Sequence, residues 1–247
     1  MTHLPLGMVF GALGVLGVLV GAGLVLRLRR AWPAVVPALL AFAVGTLLGA
    51  AFLGLLPEAT EGIGPRSAMA LALLGVLLFF FLEKTLLWRH CHDPACPTHA
   101  AAGYLILVGD GLHNLVDGLV IGAAFVVDLR LGVMTGVAVL AHEVPQEVGD
   151  FALLLEAGLS PRRALVYNLL SAATIFPGVV VGNLLAGRVD VAAGAALALA
   201  AGGFLYVALA DLVPVLHARL DRAAIRHQLL PLLIGVALIW AAGRLGA

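Results

Sequence analysis

Two stretches of the 247-residue chain carry polar chemistry in otherwise apolar surroundings. The first reads Gly109-Asp110-Gly111-Leu112-His113-Asn114-Leu115-Val116-Asp117-Gly118. The second reads His142-Glu143-Val144-Pro145-Gln146-Glu147-Val148-Gly149-Asp150. His113, Asn114 and Asp117 match His142, Glu143 and Gln146 at a constant offset of 29 residues. With Asp211, these stretches put six acids, Asp110, Asp117, Glu143, Glu147, Asp150 and Asp211, inside runs fit for a bilayer. A lone charge at mid-bilayer costs about 2.5–3.5 kcal/mol on insertion scales, so six uncompensated ones would cost roughly 15 kcal/mol or more. No Lys or Arg lies between residues 90 and 129 or between 131 and 161, which excludes salt bridging within the two stretches. Either the carboxyls carry protons, or a cation and water compensate them.

Helical spacing favours the cation, because positions three and four apart share a face. Asp110, His113, Asn114 and Asp117 form one stripe, continued by Gly118 and Ile121. Glu143, Gln146, Glu147 and Asp150 form another, with His142 near its edge. Two facing stripes offer imidazole nitrogen, carboxylate oxygen and amide oxygen, a mixture suited to zinc and also to cadmium, iron(II) and manganese. The candidate metal ligands are therefore His113, Asn114, Asp117, His142, Glu143, Gln146 and Glu147. Pro145 has no amide hydrogen, so the carbonyl of Ala141 is expected to lose its usual partner. A loosened turn beside His142 is what a mid-membrane ion site tolerates.

Two other functions fit parts of this pattern. His142-Glu143 invites the H-E-x-x-H reading of an intramembrane zinc-dependent hydrolase, but Gln146 stands where the second His belongs. A metal sensor that transports nothing needs only one tight site. The excess of carboxylates along both faces points instead to a path for ions, and hence to a transporter rather than an enzyme.

The elements that must hold these residues follow from composition. Hydrophobic residues make up 62% of the chain and charged residues 11%, with a mean hydropathy of +1.11. A soluble domain has roughly 45–50% apolar and about 25% charged residues, so an all-α polytopic membrane protein is expected. Eight helices are read at about 6–27, 35–56, 67–88, 101–127, 131–155, 163–186, 191–216 and 229–245, all in one transmembrane domain spanning 1–247. The metal site then falls between helices four and five. Pro57–Arg66 is read as a turn. If the spans alternate, Arg27, Arg29, Arg30, Lys84, Arg89, Arg162, Arg163, Arg219, Arg222 and Arg226 share one side. Arg66, Arg130, Arg188 and Arg244 lie on the other. Cytoplasmic loops carry the Lys/Arg excess, which puts both termini outside the cytoplasm. The zero net charge gives no sign of a nucleic-acid partner. The loop Arg89–His99 holds His90, Cys91, His92, Asp93, Cys96 and His99, a density of ligands able to hold zinc transiently.

The paired motifs Gly109-Asp110-x-x-His113-Asn114-x-x-Asp117-Gly118 and His142-Glu143-x-Pro145-x-Glu147-x-Gly149-Asp150-Phe151 resemble the signatures of the ZIP (Zrt/Irt-like) metal transporters. The likeness extends to Leu55-Leu56-Pro57-Glu58, to Asn168-x-x-Ser171 and to Phe204-Leu205-Tyr206-x-Ala208-Leu209-x-Asp211, covering nearly the whole chain. The resemblance implies eight spans in a 3+2+3 arrangement and a binuclear site at mid-membrane. His113, Asp117, His142 and Gln146 would surround one ion, and Asn114, Glu143 and shared Asp117 the second. It also implies import of a divalent metal as cargo, with no other cofactor, by alternating access in a homodimer. Glu58, Asp110, Asp150, Asn168, Ser171, Asp211, His90, His92, Cys96 and His99 become candidate stations along the path. Three positions depart from the pattern: Gln146 and Gly54 where His is common, and Val215 where an acid is common. One Lys against 13 Arg, with abundant Ala, Gly and Leu, fits a compact bacterial type in the cytoplasmic (inner) membrane.

Overall fold

A computed structural model describes residues 3–27, 32–88, 99–186, 190–217 and 222–244. The described residues are helical almost throughout. The chain runs α1 (Leu4–Arg27), α2 (Trp32–Ala50), a π turn (Ala51–Leu55), α3 (Leu56–Ile63), α4 (Pro65–Trp88), α5 (His99–Val127) and α6 (Leu129–Glu156). It continues with α7 (Pro161–Ala172), α8 (Ile175–Ala186), α9 (Asp190–Tyr206), a second π turn (Val207–Leu212), α10 (Val213–His217) and α11 (Arg222–Ala242).

Among the described residues, five helical runs are long and apolar enough to cross a membrane: Leu4–Arg27, Pro37–Ile63, Leu107–Val127, Pro161–Ala186 and Ala193–Ala210. Pro65–Phe81 and His227–Ala242 are shorter apolar helices. With 28 residues α6 is long enough to cross, but its acids dilute its hydropathy. The distribution of side chains is inverted relative to a soluble protein. Leu73, Phe81, Leu170, Leu185 and Leu230 are exposed, whereas Asp110, Asn114, Asp117, His142, Glu143 and Glu147 are buried. Apolar solvent outside and polar groups within describe a polytopic integral membrane protein.

Prolines shape the local differences from the sequence reading. The expected turn after residue 56 is instead helical to Ile63 and ends at Gly64, whose φ of 80° only glycine adopts readily. Pro57 cannot donate to the ladder, and the chain widens into the π turn just before it. Pro214 follows the second π turn in the same way. The run read as one helix at 163–186 is broken at Ala173–Thr174, four and three residues before Pro177. Pro145, by contrast, leaves α6 helical throughout, so the expected loosening does not appear there as a break.

The helices form two groups. In the first, α5 packs along α8, and α6 packs on α1, α5 and α7. In the second, α2 packs along α11 and α4 along α9, with α3 joining α9. Within each group the backbones nearly touch at small residues. A Cβ on Gly118 would strike the carbonyl of Ile175, and one on Gly178 that of Leu115. The α4–α9 seam repeats this at Gly75 against Leu199 and Gly202 against Ala72, and the α2–α11 seam at Gly45 against Leu232. Such close approach is how membrane helices gain packing energy without a hydrophobic drive between them. The groups meet where α2 and its π turn cross α6 and where α5 crosses α9. There Gly54 meets the side chains of Met134 and Leu131 instead of backbone.

Candidate metal centre

α5 and α6 lie side by side and turn their polar stripes toward each other. Asp117 and His113 are one helical turn apart on α5, as are His142 and the backbone of Ala138 on α6. His142 Nδ1 lies 3.0 Å from the Ala138 carbonyl. A carbonyl only accepts, so Nδ1 carries a hydrogen and is held by the backbone, which leaves Nε2 as the nitrogen turned toward the cluster. Fixing a ligand's tautomer through its second nitrogen is a recurrent feature of metal-binding histidines.

The cluster itself is compact. His142 Nε2 is 2.9 Å from Asp117 Oδ2 and 3.1 Å from His113 Nε2, and His113 Nε2 is 3.4 Å from Asp117 Oδ2. Glu143 Oε1 is 3.9 Å from His142 Nε2. One ligand atom from each of His113, Asp117, His142 and Glu143 lies within 4.8 Å of the other three. A tetrahedral ion with arms of 2.0–2.1 Å separates its ligand atoms by about 3.3 Å, so the His113, Asp117 and His142 atoms are already spaced for such an ion, with Glu143 further out. Both oxygens of Glu143 are buried without a hydrogen-bond partner. Carboxyl oxygens left without a partner in an apolar interior are costly, and a cation would satisfy them.

The remaining candidates are placed elsewhere. Gln146 donates to Asp110 Oδ1 at 3.4 Å and Asn114 donates to the same atom at 2.8 Å, so both amides gather around Asp110 instead of joining the four ligands. Ser171 of α7 donates to Asp110 Oδ2. Glu147 accepts from the amide of Asn168, also on α7. Asp150 is half-buried one turn further along α6. Glu58 lies in α3 near Glu61, Asp128 and Arg130, at the end of the fold where α5 joins α6. His99 opens α5 and Asp211 lies in the second π turn, but neither side chain is among those described. His90, His92 and Cys96 lie outside the described residues.

Two residues that spacing did not single out wall the centre. Phe79 of α4 meets His113 edge to face at 6.3 Å between ring centroids, and Phe204 of α9 meets His142 at 5.9 Å. The imidazoles belong to one helix group and the phenyl rings to the other. Phe204 stood within the family-like stretch of α9, whereas Phe79 sits in a run of three Phe with no distinguishing signal.

Comparison with known proteins adds an independent line. The family model described as ZIP zinc transporter matches residues 88–242. Zinc transporter ZIP10 of Danio rerio is 47% identical over 119 residues, which cover 48% of this chain and 14% of that protein. Zinc transporter foi of Drosophila melanogaster is 44% identical over 127 residues, covering 51% and 18%. Zinc transporter ZIP4 of Homo sapiens is 50% identical over 113 residues, covering 46% and 17%. The match thus spans less than a fifth of the length of each of these relatives. All three are named zinc transporters. Matched by the family model over more than half its length, the chain belongs to the ZIP zinc transporter family.

Proposed function

We propose that this chain carries divalent transition-metal ions, zinc first and also cadmium, iron(II) or manganese, across a membrane toward the cytosol. The observation that carries the reading is the quartet of part-buried His113 with buried Asp117, His142 and Glu143, whose ligand atoms lie within 4.8 Å of one another and whose Glu143 oxygens are buried without a hydrogen-bond partner. Two imidazoles and carboxylates in one cluster favour zinc. The relatives' names point the same way.

A second ion held by Asn114, Glu143 and Asp117 requires the Asn114 amide to turn away from Asp110, and Gln146 must likewise leave Asp110 to join the first. Glu58, Glu61 and Asp128 would draw cations at the outer end. Eight crossings in a 3+2+3 order follow if α2 with α3, α7 with α8, and α9 with α10 each count as one span. Both termini then lie outside the cytoplasm, and the composition suits a bacterial inner membrane. Alternating access is supported by the two helix groups, which are tight within and joined by side chains between, with the centre at their boundary. A homodimer is carried over from the family resemblance.

The test is uptake by the purified chain in liposomes loaded with a metal-sensitive dye, offered zinc, cadmium, iron(II) and manganese in turn. Flux that ranks zinc first and disappears in His113→Ala/Asp117→Ala supports the reading. Equal flux in that variant, or tight binding with no flux in the wild type, would refute it, and the latter favours a sensor.

A further inference from the structure

The two imidazoles of the centre are held in different ways. His142 has a side chain 1% exposed, and its Nδ1 is tied to the Ala138 carbonyl of its own helix. His113 is looser, with a side chain 14% exposed. Its Nε2 lies at the cluster, and nothing among the described residues hydrogen-bonds to its Nδ1. A metal-binding imidazole ordinarily rests on a partner at its second nitrogen, which fixes the plane of the ring. His113 needs another device.

Phe79 supplies one. Its ring stands at 88° to the His113 ring, with the centroids 6.3 Å apart, an edge-to-face arrangement that aromatic rings favour. Three Phe follow one another on α4, yet Phe80 and Phe81 are exposed and only Phe79 is half-buried. The reason lies on α9. A Cβ at Gly203 would stand 2.5 Å from Phe79 Cε2 and 2.9 Å from Cζ, so the ring fits only because residue 203 has no side chain. Tyr206 meets the same ring at 6.4 Å between centroids. The adjacent Gly202 admits the α4 backbone at Ala72. Of two consecutive glycines, one therefore seats a helix and the other seats a ring.

We infer that Phe79, seated on Gly203, is the positioning residue of His113 and ties the strength of that ligand to the placement of the two helix groups. This deepens the proposed function and rests on reading the chain as an ion carrier. Ala138 and His142 share α6, so the anchor of His142 travels with it. Phe79 and His113 belong to opposite groups, so relative movement takes the phenyl edge away from the imidazole. His113 then regains rotational freedom while His142 stays fixed. The ion loses one well-oriented ligand during the movement, which favours its release.

Zinc alone is the probe, added to the full chain in nanodiscs. Kd is read by competition with a chelating dye, and the number of bound imidazoles by zinc K-edge absorption. Phe79→Leu keeps an apolar side chain and removes the ring. It should raise Kd about two- to tenfold, the range that an edge-to-face pair contributes. Imidazole scattering should fall from two rings toward one while zinc stays bound, a change that a purely structural role would not produce. Phe80→Leu should change neither quantity. Gly203→Ala keeps Phe79 but pushes its ring aside, so it should weaken binding similarly and tests the same contact should Phe79→Leu fail to fold. Because both substitutions act through one ring, combining them should add no further loss. Phe204→Leu should cost less than Phe79→Leu, since His142 keeps its carbonyl anchor. Two imidazoles and an unchanged Kd in Phe79→Leu and Gly203→Ala would overturn this inference alone, as would additive losses in the double variant or equal losses in Phe79→Leu and Phe204→Leu. Wild-type zinc without imidazole scattering would overturn the metal centre and this inference with it.

Discussion

His142 uses its two ring nitrogens for different tasks: one is anchored on the Ala138 carbonyl, and the other points at Asp117 and His113. Removing a ligand from this quartet leaves an incomplete shell for the ion. His113→Ala or Asp117→Ala should cut uptake to background while the protein still inserts, as liposome flux against a reconstitution control would read. Binding needs bare imidazole and carboxylate, so zinc affinity should fall as the pH is lowered, and zinc addition should release protons into a weakly buffered solution. Binding that is independent of pH would contradict this. Gln146→His should raise preference for zinc over manganese by about tenfold, because imidazole replaces a poor amide ligand. An unchanged competition profile would show that residue 146 does not set selectivity. Much of this site is legible in the sequence, since the spacing of His113 and Asp117 already sets both on one face. Which stripe members converge is not legible. Gln146 sits one turn from His142, yet its amide is drawn to Asp110, one of whose other partners, Ser171, comes from a helix that no local spacing relates to it.

At the level of helices, the apolar runs announce themselves and the irregularities do not. Length and hydropathy locate α1, α5 and α6 within a few residues. The same prolines that read as stops behave in three ways: Pro57 and Pro214 follow π turns, Pro177 follows a break, and Pro145 sits in continuous helix. A missing N–H takes away the usual donor of the carbonyl four residues before it, and the packing around it decides how the turn responds: the carbonyl of Ala173, four before Pro177, accepts from the Phe176 N–H instead. Glycine spacing is the clearer signal. Gly118 and Gly122 on α5 face Gly178 and Gly182 on α8, four residues apart in each case, and each Cβ would meet opposing backbone. Gly182→Val should therefore destabilise the chain by about 1–3 kcal/mol, the usual cost of overpacking, seen as a lower Tm in detergent. Gly23→Ala is the control, because a Cβ there meets nothing within 4 Å, and its Tm should hold or rise. Equal losses in both would remove the α5–α8 seam from the account.

Across the whole molecule, the centre lies between a group built on α1, α5, α6, α7 and α8 and a group built on α2, α3, α4, α9 and α11. Phe79 and Phe204 press on the two imidazoles from across that boundary. Movement of one group past the other would expose the ion to one side and then the other. Cysteines at Gly54 and Leu131, whose side chains would meet across the boundary, offer a direct test in a background with Cys91 and Cys96 replaced by Ser. A short thiol cross-linker should stop flux without abolishing zinc binding, and full flux in the cross-linked protein would argue against relative movement. The most direct test of the central claim is zinc K-edge absorption on the full chain loaded with one zinc. The predicted spectrum has a nitrogen and oxygen shell at about 2.0 Å with scattering from two imidazoles, falling to one in His142→Ala. A sulfur shell at about 2.3 Å would place the ion on Cys91 and Cys96 and contradict a centre formed by His113, Asp117, His142 and Glu143.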